Sequence, residues 1–260
     1  MRRNLETLYS HLEDAMIPTD PMAAFVGDLR IPEFPLSLPS NADDYLLSQF
    51  PPDSLFPSKL SNQINELMEE LVETSKSMAI GNLENQEPLN LTDLASLFEV
   101  SHIYAFITAF FHSLHWHLPI VHFPTFDPGD VSNPLLLSIF LSGAAYTSPS
   151  DGTALSPWLF DVAEEYIFRK ISYLSTIPSP KDATGLLPMV QLIQAALIME
   201  MFQFGRDDVQ TRRRIRIIRH PCLVSTIRSL GMFQLKRSTA PQVCDDWTWK
   251  KLVAEEVCIR

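Results

Sequence analysis

Residues 110–128 read FFHSLHWHLPIVHFPTFDP, and no other stretch constrains the fold as much. An aromatic-rich helix has to end here, because Pro119 lacks a backbone donor and restricts Leu118 before it. Ile120 and Val121 form a short apolar run. Pro124 and Pro128 then fix a rigid turn, in which Phe123 and Phe126 are expected to point inward.

Apolar residues at helical spacing mark the rest of the chain. In 61–78, Ile64, Leu67, Met68, Leu71 and Val72 share a face opposite Glu66, Glu69, Glu70 and Glu73. Ser61 is the expected cap. A lone helix of this length is marginal in water, so it is expected to dock on the domain behind it, with pairing to another helix as the alternative. After a polar connection over 81–90, Thr92 and Asp93 are expected to cap one long helix through Leu94, Leu97, Phe98, Ile103, Phe106, Ile107, Phe110 and Leu114. Asn133 and Pro134 supply a cap and a first-turn proline for a helix over 135–146. A Pro/Ser/Gly loop over 148–157 separates it from helices at 158–174, 187–204 and 208–230, and a last one opens near Asp245. Strand alternation is almost absent. The expectation is an all-α, irregular multi-helix domain over 91–260, with an amphipathic helix and linker over 59–90.

Residues 1–58 hold eight of the 20 prolines and nine acidic residues against three basic ones, too little apolar material for a packed core. They are expected to form a largely disordered acidic, Pro-rich arm. Within it, Asp43, Asp44, Tyr45, Leu46, Leu47, Phe50, Asp53, Leu55 and Phe56 interleave acids with large apolar groups, the composition of an activation segment; an acidic linker packed loosely on the domain has the same composition. A net charge of −11 argues against non-specific adhesion to nucleic acid. Acidic residues stand where a signal peptide would have its apolar core, so no secretion is expected. The apolar runs 135–146 and 186–204 are too short or interrupted by Pro188, Gln191, Gln194 and Glu200, so no membrane span is expected.

Chemistry finds little foothold. His112, His115, His117 and His122 have metal-like spacing but lack a nearby acidic ligand, and no metal is expected. Cys222, Cys244 and Cys258 are too few and too far apart for a zinc module or a disulfide framework. No GxSxG, P-loop or GxGxxG occurs, so neither an enzyme nor a cofactor is expected. Asp207 and Asp208 are expected to cap the next helix. The one concentrated positive run is Arg212, Arg213, Arg214, Arg216 and Arg219, interleaved with Ile215, Ile217 and Ile218. It suits a nuclear import signal. It equally suits a solvated helix face or partners for internal acids, with Ile215 and Ile218 buried.

The segment with Phe110, Phe111, His115, Pro119, Ile120, Val121, His122, Pro124, Thr125 and Phe126 resembles the entry to the regulatory middle homology region of fungal-specific transcription factors. Downstream, Arg228, Leu230, Gly231, Met232 and Phe233 are similar to that family's Arg-x-Leu-Gly-Leu-Phe stretch. Trp249, Leu252, Val253, Glu256 and Arg260 resemble its Trp-x-x-Trp-Ile-x-x-Glu-x-x-Arg-Arg motif, with Leu252 and Ile259 departing from the second Trp and the first Arg. The resemblance implies a nuclear, non-enzymatic transcription regulator. Its domain is read as C-terminally truncated and without its zinc-finger DNA-binding module. It is expected to act through protein contacts with the transcription machinery or a related full-length regulator, with DNA reached indirectly. Such regulators often sit beside biosynthetic gene clusters, so control of one belongs to the same expectation. Two alternatives stay open: an all-α enzyme or small-molecule binder with a pocket of Phe106, Phe110, Trp116 and Phe126, and a nonfunctional gene fragment.

Overall fold

Helix α1, Ser58–Gly81, begins three residues before the expected cap because Leu60 already belongs to its apolar stripe. Leu60, Leu67 and Leu71 are fully buried, and the helix packs on the helices behind it. Each such side chain contributes about 2 kcal/mol, which offsets the marginal stability of a solitary helix. In the computed structural model the described residues are 58–81, 87–115, 119–123, 126–147, 156–174, 176, 183–206, 208–232, 248–249 and 252. Residues 1–57 of the acidic arm, with its segment over 43–56, lie outside them. Among the described residues every regular element is helical, and the all-α expectation holds.

The long helix expected from Thr92 is two helices, α2 (Leu91–Leu97) and α3 (Val100–Ser113). Asn90, not Thr92, caps α2, its side-chain oxygen accepting from the Asp93 amide at 2.8 Å. The chain breaks at Phe98 and Glu99, where Glu99 turns extended. That break lets Phe98 stack on Phe140 at 4.5 Å while Phe106 meets the same ring edge-on at 5.1 Å. Helix α4, Asn133–Thr147, lies close against α3. At Gly143 an added Cβ would sit 1.7 Å from the Phe106 carbonyl oxygen, so only glycine permits this approach.

The proline-bound corner packs as its sequence suggests. Phe111 meets Phe123 at 4.8 Å and Phe126 at 5.1 Å, and Val121 and Phe126 are buried. Phe123 is half-buried; Pro124 and Thr125 lie outside the described residues. The corner is tied to α6 (Ala183–Gly205), where Gln194 donates to the Ile120 carbonyl and Gln191 accepts from the Ser132 amide at 2.9 Å.

Helix α5, Pro157–Leu174, and α6 complete the core. Residues 186–205 are long and apolar enough to cross a membrane, by length and composition alone. Yet 61% of that stretch is buried, and its polar side chains find protein partners, as in a core helix. The helix expected over 208–230 is α7 (Val209–Arg214), a π-helical turn (Ile215–Arg219) and α8 (His220–Ser229). Asp208 caps α7 through the amides of Gln210 and Thr211; Asp207 lies outside the described residues. Gly231, at φ +68°, closes α8 in a left-handed turn, which explains the glycine in its Arg-x-Leu-Gly stretch. Of the last expected helix, only Thr248, Trp249 and Leu252 are described, all helical.

Candidate functional site

Glu164 is a fully buried carboxylate on α5, a helix whose neighbouring positions Val162, Ala163, Tyr166 and Ile167 are apolar core. An unpaired charge there would be prohibitive, so its partners define the site. Arg214 grips it as a planar fork, Nε to Oε1 at 2.9 Å and Nη2 to Oε2 at 2.7 Å. Arg219 adds Nε to Oε1 at 2.7 Å, and Gln203 of α6 donates to Oε2 at 3.0 Å. The cluster spreads outward: Asp161 accepts from Arg206, Arg214 and Gln203, while Glu165 accepts from Arg219 at 2.6 Å and Arg169 at 2.8 Å. Arg219 also lies over the Phe168 ring, 5.0 Å from its centroid.

The π-helical turn makes this clamp. Arg214 and Arg219 are five residues apart, which in an α-helix puts them about 140° apart around the axis. A π turn closes i to i+5 and brings positions five apart onto one side. Here the His220 amide bonds to the Ile215 carbonyl, and both arginines reach one carboxylate. The same change of phase corrects an expectation. Ile215 is buried, but Ile218 is 57% exposed rather than inward.

Electrostatics follow the geometry. Burial alone would lower the pKa of each arginine, but hydrogen bonds and charge from Glu164, with Asp161 or Glu165, raise both above the ordinary guanidinium range. Burial works to raise Glu165, yet the bonds from Arg219 and Arg169 hold it below the ordinary carboxylate value. Beside the clamp, burial pushes the Glu200 carboxyl up, with Glu164 adding to the rise and His220 opposing it. His220 Nδ1 lies 3.1 Å from Glu200 Oε2. The arrangement holds α5, α6 and the α7–π–α8 stretch in register.

Of the five arginines in the basic run, Arg214 and Arg219 are committed to this clamp, whereas Arg213 and Arg216 are exposed and Arg212 is half-buried. The sequence reading did not single out Glu164, Asp161, Gln203, Arg206 or Glu200. A usable signal was present: Asp161 and Glu164, three apart, interrupt the apolar run Leu159, Val162, Ala163, Tyr166, Ile167. His112 lies in the last turn of α3 and His115 just beyond it, where burial, then His122, lowers the pKa of His115; His117 lies outside the described residues. Among the described residues no three His, Cys, Asp or Glu side chains converge to hold a metal ion. Phe110 and Phe126 are core and Phe106 packs against it, while Trp116 lies outside the described residues.

Comparison with known proteins adds two findings. A family described as the fungal specific transcription factor domain matches residues 107–250, a stretch that includes the second half of α3 and all of α4 through α8. The chain is also 28% identical over 234 residues to a protein named "Transcription factor verF" from Penicillium polonicum, covering 87% of this chain and 32% of that protein. It therefore spans about a third of the length of that relative. No solved structure matches the chain.

Proposed function

Because the chain belongs to the fungal-specific transcription factor domain family, we propose that its helical domain works in the nucleus as a transcription regulator through protein contacts. The observation that carries this is the family match over 107–250, which takes in the Glu164 clamp and the helices it joins. The family and the relative's name point to a transcription factor and not to an enzyme. With a net charge of −11 and three cysteines in these 260 residues, DNA reading falls to a module outside them, in the same polypeptide or on a partner. The segment with Asp43, Asp44, Tyr45, Leu46, Leu47, Phe50, Leu55 and Phe56 is the proposed contact with the transcription machinery, its acids keeping the apolar groups solvated until a groove receives them.

Fusing residues 1–260 to an unrelated DNA-binding module and measuring a reporter tests the reading. Activation is expected, and it should be lost when Tyr45, Leu46, Phe50 and Phe56 become alanine. A soluble, nuclear fusion that leaves the reporter unchanged in either direction would overturn it.

A further inference from the structure

The clamp has a consequence on its outer side. By turning Arg214 and Arg219 inward, the π-helical turn leaves Ile217 and Ile218 59% and 57% exposed, next to two arginines that take no part in the Glu164 cluster. Arg213 and Arg216 are three apart and Arg213 and Ile217 four apart, so they are neighbours on one face; Ile218 follows Arg213 by one π turn. Val209, 67% exposed and four residues before Arg213, extends the same ridge. Adjacent isoleucines held out in water beside unengaged guanidinium groups are an unusual combination on a soluble surface.

We propose that this face is a docking surface for an acidic, apolar segment of a partner protein, with carboxylates on Arg213 and Arg216 and large apolar side chains over Ile217 and Ile218. The inference rests on the reading of the chain as a regulator that acts through protein contacts, and it names the chemistry of one such contact. Charge complementarity selects the occupant. Arg213 and Arg216 are exposed and take no part in the clamp's ion pairs, so the carboxylates of an acidic partner meet uncommitted cations on this ridge. Nucleic acid fits less well, because affinity for phosphates grows with the number of cations and exposed isoleucines offer phosphates nothing.

The test uses the full chain and a fluorescein-labelled peptide of about 16 residues, with leucine and phenylalanine on one helical face and aspartate and glutamate on the other, read by anisotropy. The peptide is expected to bind. The pair Ile217→Ser with Ile218→Ser should weaken it by about tenfold or more, and so should Arg213→Gln with Arg216→Gln, while urea unfolding stays unchanged. A peptide with amides in place of its acids should bind as weakly as the wild-type peptide binds the arginine variant. No binding by the wild-type chain, binding by both variants as tight as by the wild-type chain, a DNA duplex that binds this face more tightly than the peptide, or self-association through the face that excludes the peptide would each overturn the proposal. The tethered reporter separates the two readings. Peptide failure with reporter activity retained removes the docking face alone, and reporter silence with peptide binding retained removes the regulator reading alone.

Discussion

Helix α5 meets its neighbours through two sets of charges, and the sets are built on different physics. Toward α6 and the π turn, Glu164 is fully buried and Arg219 17% exposed. Toward α1, Lys170 and Tyr166 both bond Glu70, at 2.7 and 2.5 Å, but Lys170 and Glu70 stay 39% and 33% exposed. Distances are alike on the two sides; solvent is not. Water screens the α1 side, so that pair holds little. On the clamp side, water is in no position to replace a lost partner of the buried Glu164 carboxylate.

The contrast breaks most visibly at Glu164. Glu164→Ala should cost about 3 kcal/mol in urea unfolding at pH 7, because it removes the buried carboxylate that Arg214 and Arg219 share and leaves each with only an outer one, Asp161 or Glu165. Arg219→Lys comes next. A point ammonium cannot bridge Glu164 and Glu165 with a planar fork, so a loss of about 1–2 kcal/mol is expected in the same measurement, with the charge kept.

These two residues also show where sequence reading stops. The apolar stripe of α1, the helices at 157–174 and 133–147 and the proline-bound corner follow from spacing and proline chemistry, which are local. The break at Phe98 is not legible, because the apolar period runs on through it and only the ring of Phe140, 42 positions away, draws Phe98 out of line. The π turn is hidden for the same reason. Nothing in IRIIR itself demands it; a buried carboxylate 50 and 55 residues earlier does. Thus the basic run stood out in the sequence, while its division into clamp and surface arginines depended on Glu164.

A smaller effect of opposite sign is expected at Glu200. Burial raises this carboxyl above its ordinary 4.5, so the folded state holds the proton more tightly than the unfolded chain. Stability therefore falls as pH rises from that ordinary value through the raised one, and the loss persists above it. Glu200→Gln removes the penalty and should gain about 1 kcal/mol at neutral pH, the gain vanishing toward pH 4.5, as thermal unfolding across pH would read. Glu165, held low by Arg219 and Arg169, has the reverse sign: its contribution is full above the ordinary carboxylate value and disappears as pH falls through its depressed one. The smallest change belongs to the α1 side, where Glu70→Gln should cost no more than about 0.5 kcal/mol at pH 7 by urea unfolding, since glutamine still accepts from Tyr166.

The most direct measurement is a pair of double-mutant cycles in urea at pH 7, one on Glu164 and Arg219, the other on Glu70 and Lys170. If the buried clamp fixes the π turn and thereby the arginine and isoleucine ridge, the first coupling should exceed about 1.5 kcal/mol and the second stay below about 0.5 kcal/mol. Equal couplings would contradict it, because the clamp would then be one more screened ion pair.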